Sequence, residues 1–477
     1  MHTNIAPVVS VLGHVDHGKT TLLDAIRKTT IAAREHGGIT QKIGASSVVI
    51  EHDGKKRKIT FVDTPGHETF AAMRSRGAQV ADIAILVVSA VDGVMPQTKE
   101  SISLIQSAGI PYVVAFTKSD LPEKNGEKVK QQLSQNNVLV EGYGGDVPTI
   151  EVSAKNGTNV KELLDLVLLL FEMKQTTDGI HASVDGPLNA VVIESKLDKA
   201  GPKASIVVKN GTLKIKDAII AENVLGKVRA LITDTGTQVQ EIHAGDAAEI
   251  LGFEKVPPVG SIVTRQNEKA ETAIPTVAKQ TNKIASEATE SSLSLILVAD
   301  TLGSLEAIVA SLPAGVRLMR EKTGEVSEAD VLYAKSVGAL ILSFNIKIRP
   351  DIITIARTEK VLVKNYTIIY ELLQELQDVM EGKRLAEMEQ IYGVAQLQAT
   401  FPFDKSTVLG LKVTDGRVAK GDKIRIMRDD VVVGESAIVS VRQGKETVSK
   451  VEAPLECGIL ISPLLDFRVG DVILSHS

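Results

Sequence analysis

Tryptophan is absent from the 477 residues and aromatic side chains make up only 3% of them. A broad platform of rings for stacking bases is therefore excluded as the main device of any nucleic-acid contact. A single cysteine, Cys457, cannot form an internal disulfide and fits a reducing compartment, the cytoplasm. Long apolar runs are missing too: the stretch 81–91 is interrupted by Asp82 and falls short of the roughly 18 residues that span a bilayer. No membrane anchor is expected. Residues 1–7 carry no Lys or Arg, and the apolar run Val8–Leu12 leads into a glycine-rich turn rather than a small-residue cleavage site, which argues against a secretory signal. The net charge of −5 gives no bulk basic signature, which leaves RNA contact through a local basic face open.

What is present is a globular composition, 43% hydrophobic and 24% charged, in a chain long enough for roughly three or four domains. Over 1–176, strand-like runs at Val8–Leu12, Ile59–Asp63, Ile83–Ser89, Tyr112–Phe116 and Thr149–Val152 alternate with helical segments, which predicts a doubly wound parallel α/β sheet. Residues 177–265 show short alternating runs between turns, the pattern of a small β-barrel. A polar linker is expected over 266–290. A second, smaller α/β domain follows over 291–365, with strands at Leu293–Ala299, Val316–Leu318, Gly338–Ser343 and Lys360–Val363. Apolar residues at helical spacing, Ile369, Leu372, Leu376 and Val379 among them, predict one long helix over 366–390. That helix either holds the next domain at a distance or packs on the small α/β domain. Residues 391–477 return to short strands and turns, a second β-barrel at the C-terminus.

The chemistry is concentrated in the first domain. Gly13-His14-Val15-Asp16-His17-Gly18-Lys19-Thr20 lies between a strand and a helix beginning near Thr21, the setting a phosphate loop requires. Glycines let backbone N–H groups converge on phosphate oxygens and the helix N-terminus adds partial positive charge. Lys19 then reaches the outer phosphates and Thr20 offers a hydroxyl to Mg²⁺. A second segment, Asp63-Thr64-Pro65-Gly66-His67, follows the next strand; Asp63 can hold the metal through water and the Gly66 N–H can meet the γ-phosphate. In Thr117-Lys118-Ser119-Asp120, Asp120 can accept from the N1–H and 2-amino group of guanine, with Lys118 along the base. Ser153-Ala154-Lys155 can offer a backbone N–H to guanine O6. A site built on such polar pairs selects GTP and GDP over adenine nucleotides.

The ordered set resembles the translational GTPases, whose phosphate loop reads Gly-His-Val-Asp-His-Gly-Lys-Thr-Thr and whose switch reads Asp-x-Pro-Gly-His. Within that class, Val62 to Phe70, then Met73-Arg74-Ser75-Arg76-Gly77-Ala78, and Gly37-Gly38-Ile39-Thr40-Gln41 resemble bacterial initiation factor two. The resemblance continues through Val191 to Lys199, Ala299-Asp300, Gly303-Ser304, Glu306-Ala307 and Phe344-Asn345, and so covers nearly the whole chain. It implies a P-loop GTPase in which Thr40 joins Thr20 and Asp63 at the metal and His67 orients the attacking water. It also implies a terminal barrel that grips formyl-methionyl initiator tRNA near Arg442, Glu456, Cys457 and Gly458. The chain departs from the family pattern at Thr117, where asparagine is usual, at Leu411 in place of a second cysteine, and at Gln443 in place of an arginine.

The implied activity is GTP-dependent delivery of initiator tRNA to the small ribosomal subunit, joining of the large one, and ribosome-stimulated hydrolysis by a monomer. Two rivals remain: an elongation-type GTPase, which would take elongator aminoacyl-tRNAs, and a GTP-binding ribosome-assembly scaffold, which assembled subunits would not stimulate.

Overall fold

The structure, a computed structural model, describes residues 5–27, 41, 43–178, 182–267, 293–380, 391–403, 406–428, 431–444, 446–463, 465 and 467–476. Thr40, nearly all of the expected linker and the second half of the expected long helix lie outside the described residues. Contacts divide the chain into two compact units, Met1–Met380 and Glu381–Ser477.

The first unit begins with a six-stranded sheet of β1 (Val8–Gly13), β2 (Gly44–His52), β3 (Lys55–Asp63), β4 (Ile83–Ser89), β5 (Tyr112–Thr117) and β6 (Thr149–Glu151), in the order β2-β3-β1-β4-β5-β6. Every residue of β1 and of β4 is buried. Helices cover both faces of the sheet, so these strands read as unbroken apolar runs rather than alternations. The helices are α1 (Lys19–Arg27), α2 (Ala71–Val80), α3 (Pro96–Ala108), α4 (Gly126–Gln135) and α5 (Val160–Asp178). All pairings are parallel except β2 with β3. Of that hairpin only Ile59–Asp63 of β3 was expected from sequence, and β2 was not; it turns on Asp53-Gly54, whose φ values of 50° and 70° suit a tight two-residue reversal. From β1 the chain goes to β3 on one side and returns to β4 on the other, which opens a crevice at the carboxyl end of β1.

The barrel comprises β7 (Asn189–Asp198), β8 (Gly201–Asn210), β9 (Thr212–Lys214), β10 (Ala218–Ala221), β11 (Val224–Ile232), β12 (Gln238–Val239), β13 (Glu241–His243), β14 (Ala247–Phe253) and β15 (Ile262–Arg265). The order β10-β15-β7-β8-β14-β11 closes on itself through β10 and β11 around a core that includes Val192, Ile206, Ile250 and Phe253. The small α/β layer has four parallel strands, β16 (Leu293–Ala299), β17 (Val316–Thr323), β18 (Leu340–Phe344) and β19 (Val363–Tyr366), in the order β17-β16-β18-β19. Its helices are α6 (Leu302–Ala310), α7 (Glu328–Val337), α8 (Pro350–Thr358) and α9 (Ile369–Met380).

Two expectations are corrected here. Residues 360–362 do not belong to the last strand, because Lys360 turns the chain after α8 with φ of 55°, and β19 starts at Val363. Tyr366, expected at the head of a helix, ends that strand; the helix starts at Ile369. Within its described residues α9 packs as a core helix, with Ile369, Leu372 and Leu376 buried in a cluster shared with Phe70 and Met73 of the first layer and Val191 and Ile193 of the barrel.

The second unit is a closed barrel of β20 (Ile391–Phe403), β21 (Ser406–Ala419), β22 (Lys423–Arg428), β23 (Val431–Gln443), β24 (Glu446–Val448), β25 (Lys450–Glu452), β26 (Glu456–Ser462) and β27 (Val472–His476). The order β20-β27-β22-β23-β26-β21 closes through β20 and β21. Among the described residues no helix is long and apolar enough to cross a membrane.

The first layer, the barrel and the small α/β layer meet closely at Gly303. A Cβ there would stand 2.6 Å from Met73 Cε and 2.7 Å from Glu194 Oε2. Gly303→Ala should therefore destabilise the first unit by about 1–3 kcal/mol through overpacking. Urea unfolding followed by circular dichroism would measure it, and an unshifted midpoint would show that the seam is looser than described.

Candidate functional site

The crevice at the end of β1 is filled by the loop between Gly13 and Lys19. Gly13 cannot carry a side chain, since a Cβ would lie 2.3 Å from the Val87 carbonyl oxygen at a φ of 151°. Asp16 at φ 61° and Gly18 at φ 83° turn the loop so that it enters α1 at Lys19, whose first N–H groups have no acceptor within the helix. Thr20 and the exposed Thr21 complete that first turn. His14 and His17 stand edge to face 5.0 Å apart. Burial holds the His17 imidazole down at about 4, with His14 beside it acting in the same direction, so His17 is neutral at physiological pH. The Gln97 side chain from α3 accepts the Val15 N–H at 2.9 Å.

Lys19 bends its ammonium back along the loop, donating to the carbonyls of Gly13 at 2.9 Å and His14 at 2.6 Å. The group is buried, which lowers its pKa to about 8; the Asp63 carboxylate opposes that shift and the Arg74 guanidinium adds to it. Asp63 is itself buried at the end of β3, and Gly66 lies directly against the ammonium. A Cβ on Gly66 would be 2.5 Å from Lys19 Nζ and 3.1 Å from Val15 N. Two segments some fifty residues apart thus meet at one cation.

A residue to which the sequence assigned no role organises this meeting. Arg74, from the first turns of α2, is wholly buried. Its guanidinium takes both oxygens of Glu100 on α3, at 2.6 and 2.7 Å. It also donates to the carbonyls of Pro65 at 3.2 Å, Glu68 at 3.4 Å and, at short range, His67. Five donors in a planar fork suit this task as a lysine cannot. The only sequence signal was a charged residue among apolar neighbours on a helix, which does not reveal its partner.

His67 caps the 3₁₀ turn Glu68–Phe70. Its Nδ1 accepts the Thr69 N–H at 3.2 Å and lies 2.7 Å from the Thr69 hydroxyl. Burial lowers its pKa, against the charge of Glu68 and with that of Arg74. Its ring meets the Tyr370 ring edge to face, centroids 4.4 Å apart.

At the other end of the crevice, Thr117 ends β5 and its hydroxyl donates to the His17 carbonyl at 2.6 Å, tying this segment to the phosphate loop. The departure from asparagine keeps a side-chain bond to that loop. Lys118, at φ 57°, pairs with Asp92 at 2.8 Å. The exposed Asp120 accepts the buried Ser153 hydroxyl at 2.8 Å, the first cause of its lowered pKa, so the carboxylate stays ionised. Ala154 and the exposed Lys155 follow Ser153 in the loop before α5.

In the second unit, strand register divides the four residues expected at the tRNA pocket. Arg442 on β23 stands opposite Gly458 on β26, and Glu456 shares that outward face. Cys457 points the other way, into the barrel core opposite Leu411, and burial pushes its thiol up to about 11. Its thiol is thus a packing group.

Residues 4–173 match the family model described as the elongation factor Tu GTP binding domain, residues 187–266 that of elongation factor G domain 2, and residues 265–377 that of translation-initiation factor 2. The translation initiation factor IF-2 of Halothermothrix orenii is 40% identical, over 99% of this chain and 71% of its own length. The chain belongs to the translation initiation factor IF-2 family. The IF-2 of Synechocystis sp. is 42% identical over 98% of this chain, and that of Carboxydothermus hydrogenoformans 40% over the same share. This chain spans 50% of the former and 59% of the latter. Against this IF-2 background the P-loop, the Asp63–His67 turn and the Thr117–Asp120 segment lie together at one end of the first sheet, in the part that matches a GTP binding domain.

Arg74→Ala would leave Glu100 and three carbonyls without their shared donor. A loss of about 3 kcal/mol is expected, at the low end for a broken buried pair because Glu100 is 33% exposed. Amide hydrogen exchange at residues 66–70 should quicken first; unaltered protection there would remove Arg74 from the role of clamp.

Proposed function

We propose that this chain is a GTP-driven initiation factor: with GTP bound it promotes binding of formyl-methionyl initiator tRNA to the small ribosomal subunit and joining of the large one, and ribosome contact stimulates hydrolysis to GDP and phosphate. The observation that carries this reading is the approach of Gly66 to within side-chain distance of Lys19. A turn held there touches whatever Lys19 holds, so it can report whether a terminal phosphate is present. Membership of the IF-2 family and the outward Arg442, Glu456 and Gly458 of the terminal barrel support it, and the chain would act in the cytoplasm.

In this reading Lys19 and the first N–H groups of α1 bind the phosphates, and Asp120, kept ionised by Ser153, accepts from the guanine edge. Lys118 lies along the base, while the backbone of Ala154 and Lys155 meets its O6. A buried carboxylate, Asp63, acting on Lys19, with the Thr20 hydroxyl next in sequence, forms a set of hard oxygen donors that fits Mg²⁺. When bound, the ion would neutralise phosphate charge; Thr40 is assigned to it by resemblance alone. Arg74 and Glu100 keep Pro65 to Glu68 rigid, so Gly66 stays against Lys19 and His67 is presented from a fixed turn. His67, neutral through burial, orients the attacking water once the ribosome repositions it.

His67→Ala should leave GTP affinity intact while ribosome-stimulated hydrolysis falls by at least about a hundredfold. Undiminished hydrolysis would remove His67 from the mechanism. In the same assay, initiator tRNA should be preferred over elongator tRNAs in filter binding; indifference would favour an elongation-type factor.

Lys19 supplies a pH signature. Its pKa of about 8 in the free protein rises when an anion binds, so binding above that pH takes up a proton. GTP affinity should be flat from pH 6.5 to 7.5 and then fall by up to about tenfold per unit above pH 8. Calorimetry in two buffers of different ionisation heat would detect the uptake, and a flat profile to pH 9.5 would contradict it.

A further inference from the structure

The first turn of α9 belongs to the small α/β layer, yet it stands over the nucleotide crevice. Its buried face, Ile369, Leu372 and Leu376, is committed to the shared core. Tyr370 is half-buried: it packs against the margin of that core and meets the His67 ring in a T-shaped contact, centroids 4.4 Å apart at 80°. Burial raises the pKa of its hydroxyl, and the charge of Asp16 in the phosphate loop acts in the same direction. Gln41 binds the same turn twice: its Nε2 donates to the Thr367 carbonyl at 3.0 Å and its Oε1 accepts the Ile369 N–H at 3.1 Å. Groups from three separate loops, Asp16, Gln41 and His67, therefore gather around one helical turn.

Resting on the role given to His67 above, we propose that Tyr370 is a positioning residue that holds the His67 imidazole in a resting orientation and so suppresses hydrolysis in the absence of the ribosome. His67 has two restraints. Thr69 engages Nδ1, and Tyr370 fixes the plane of the ring. The first travels with the turn itself, whereas the second comes from a different layer of the molecule. Release of His67 toward a water therefore requires the turn and the head of α9 to part. One contact thus joins the orientation of His67 to the position of a helix whose far end leads toward the second unit in sequence.

The test uses the full chain and compares single-turnover GTP hydrolysis with and without ribosomal subunits. Tyr370→Ala should raise the unstimulated rate constant between about twofold and tenfold, the scale of one edge-to-face aromatic pair, with nucleotide affinity unchanged. Tyr370→Phe, which keeps the ring edge, should stay at the wild-type rate. Tyr370→Leu, which keeps apolar bulk for folding without a ring, should behave as the alanine variant. In a His67→Ala background, Tyr370→Ala should change nothing further. An unstimulated rate that is unchanged or lower in both Tyr370→Ala and Tyr370→Leu overturns the proposal, as does an equal rise in Tyr370→Phe. Those outcomes are distinct from failure of the underlying reading, which would appear as His67→Ala hydrolysing GTP normally with ribosomes.

Discussion

A guanidinium with no exposure to water is the constraint on which the rest of the first unit depends. Burying the Arg74 charge is tolerable only because the Glu100 carboxylate and the carbonyls of Pro65, His67 and Glu68 surround it. Each of those acceptors is thereby fixed, and the Asp63 to Glu68 segment becomes a rigid turn instead of a surface loop. Gly66 then lies against Lys19, and His67 projects toward α9. The same guanidinium also acts electrostatically, lowering the proton affinity of both Lys19 and His67.

The helix that carries Arg74 is committed on its other sides. Met73 touches the place where Gly303 admits no side chain, and Arg76 pairs with Glu306 on α6. Gly303 in turn donates its N–H to Glu194 of β7 at 3.0 Å, in a site so dry that burial raises the Glu194 pKa. Side chains in contact thus connect the turn at Gly66, through α2, with the small α/β layer and the barrel. Phe70, Val191, Leu297 and Ile369 share one hydrophobic cluster, so the three layers are packed on a common core.

Legibility of the sequence followed locality. The phosphate loop could be read because its demands, glycines at special φ and a lysine at a helix start, are met within a few consecutive residues. The Ile59–Asp63 end of β3 was legible as an apolar run, but β2 and the first half of β3 were not, because polar and charged residues fill them around Asp53-Gly54. Tyr366 was misplaced because its neighbours suit a helix, and only pairing with Phe344 on β18 holds it in a strand. Cys457 could be grouped with Glu456 and Gly458 on paper, yet alternation along β26 turns it to the opposite face.

By itself the sequence determined the order of layers and the phosphate loop, and it marked the segments Thr117–Asp120 and Ser153–Lys155 to which base selection is assigned here, since each rests on short-range backbone geometry and on donor and acceptor patterns within a motif. Only the tertiary structure decided that Arg74 clamps the switch turn, that Thr117 ties the base side to the phosphate side, and that Tyr370 faces His67. Those relations join residues tens to hundreds of positions apart, and their partners are selected by burial and packing in three dimensions, which no local pattern of residues encodes.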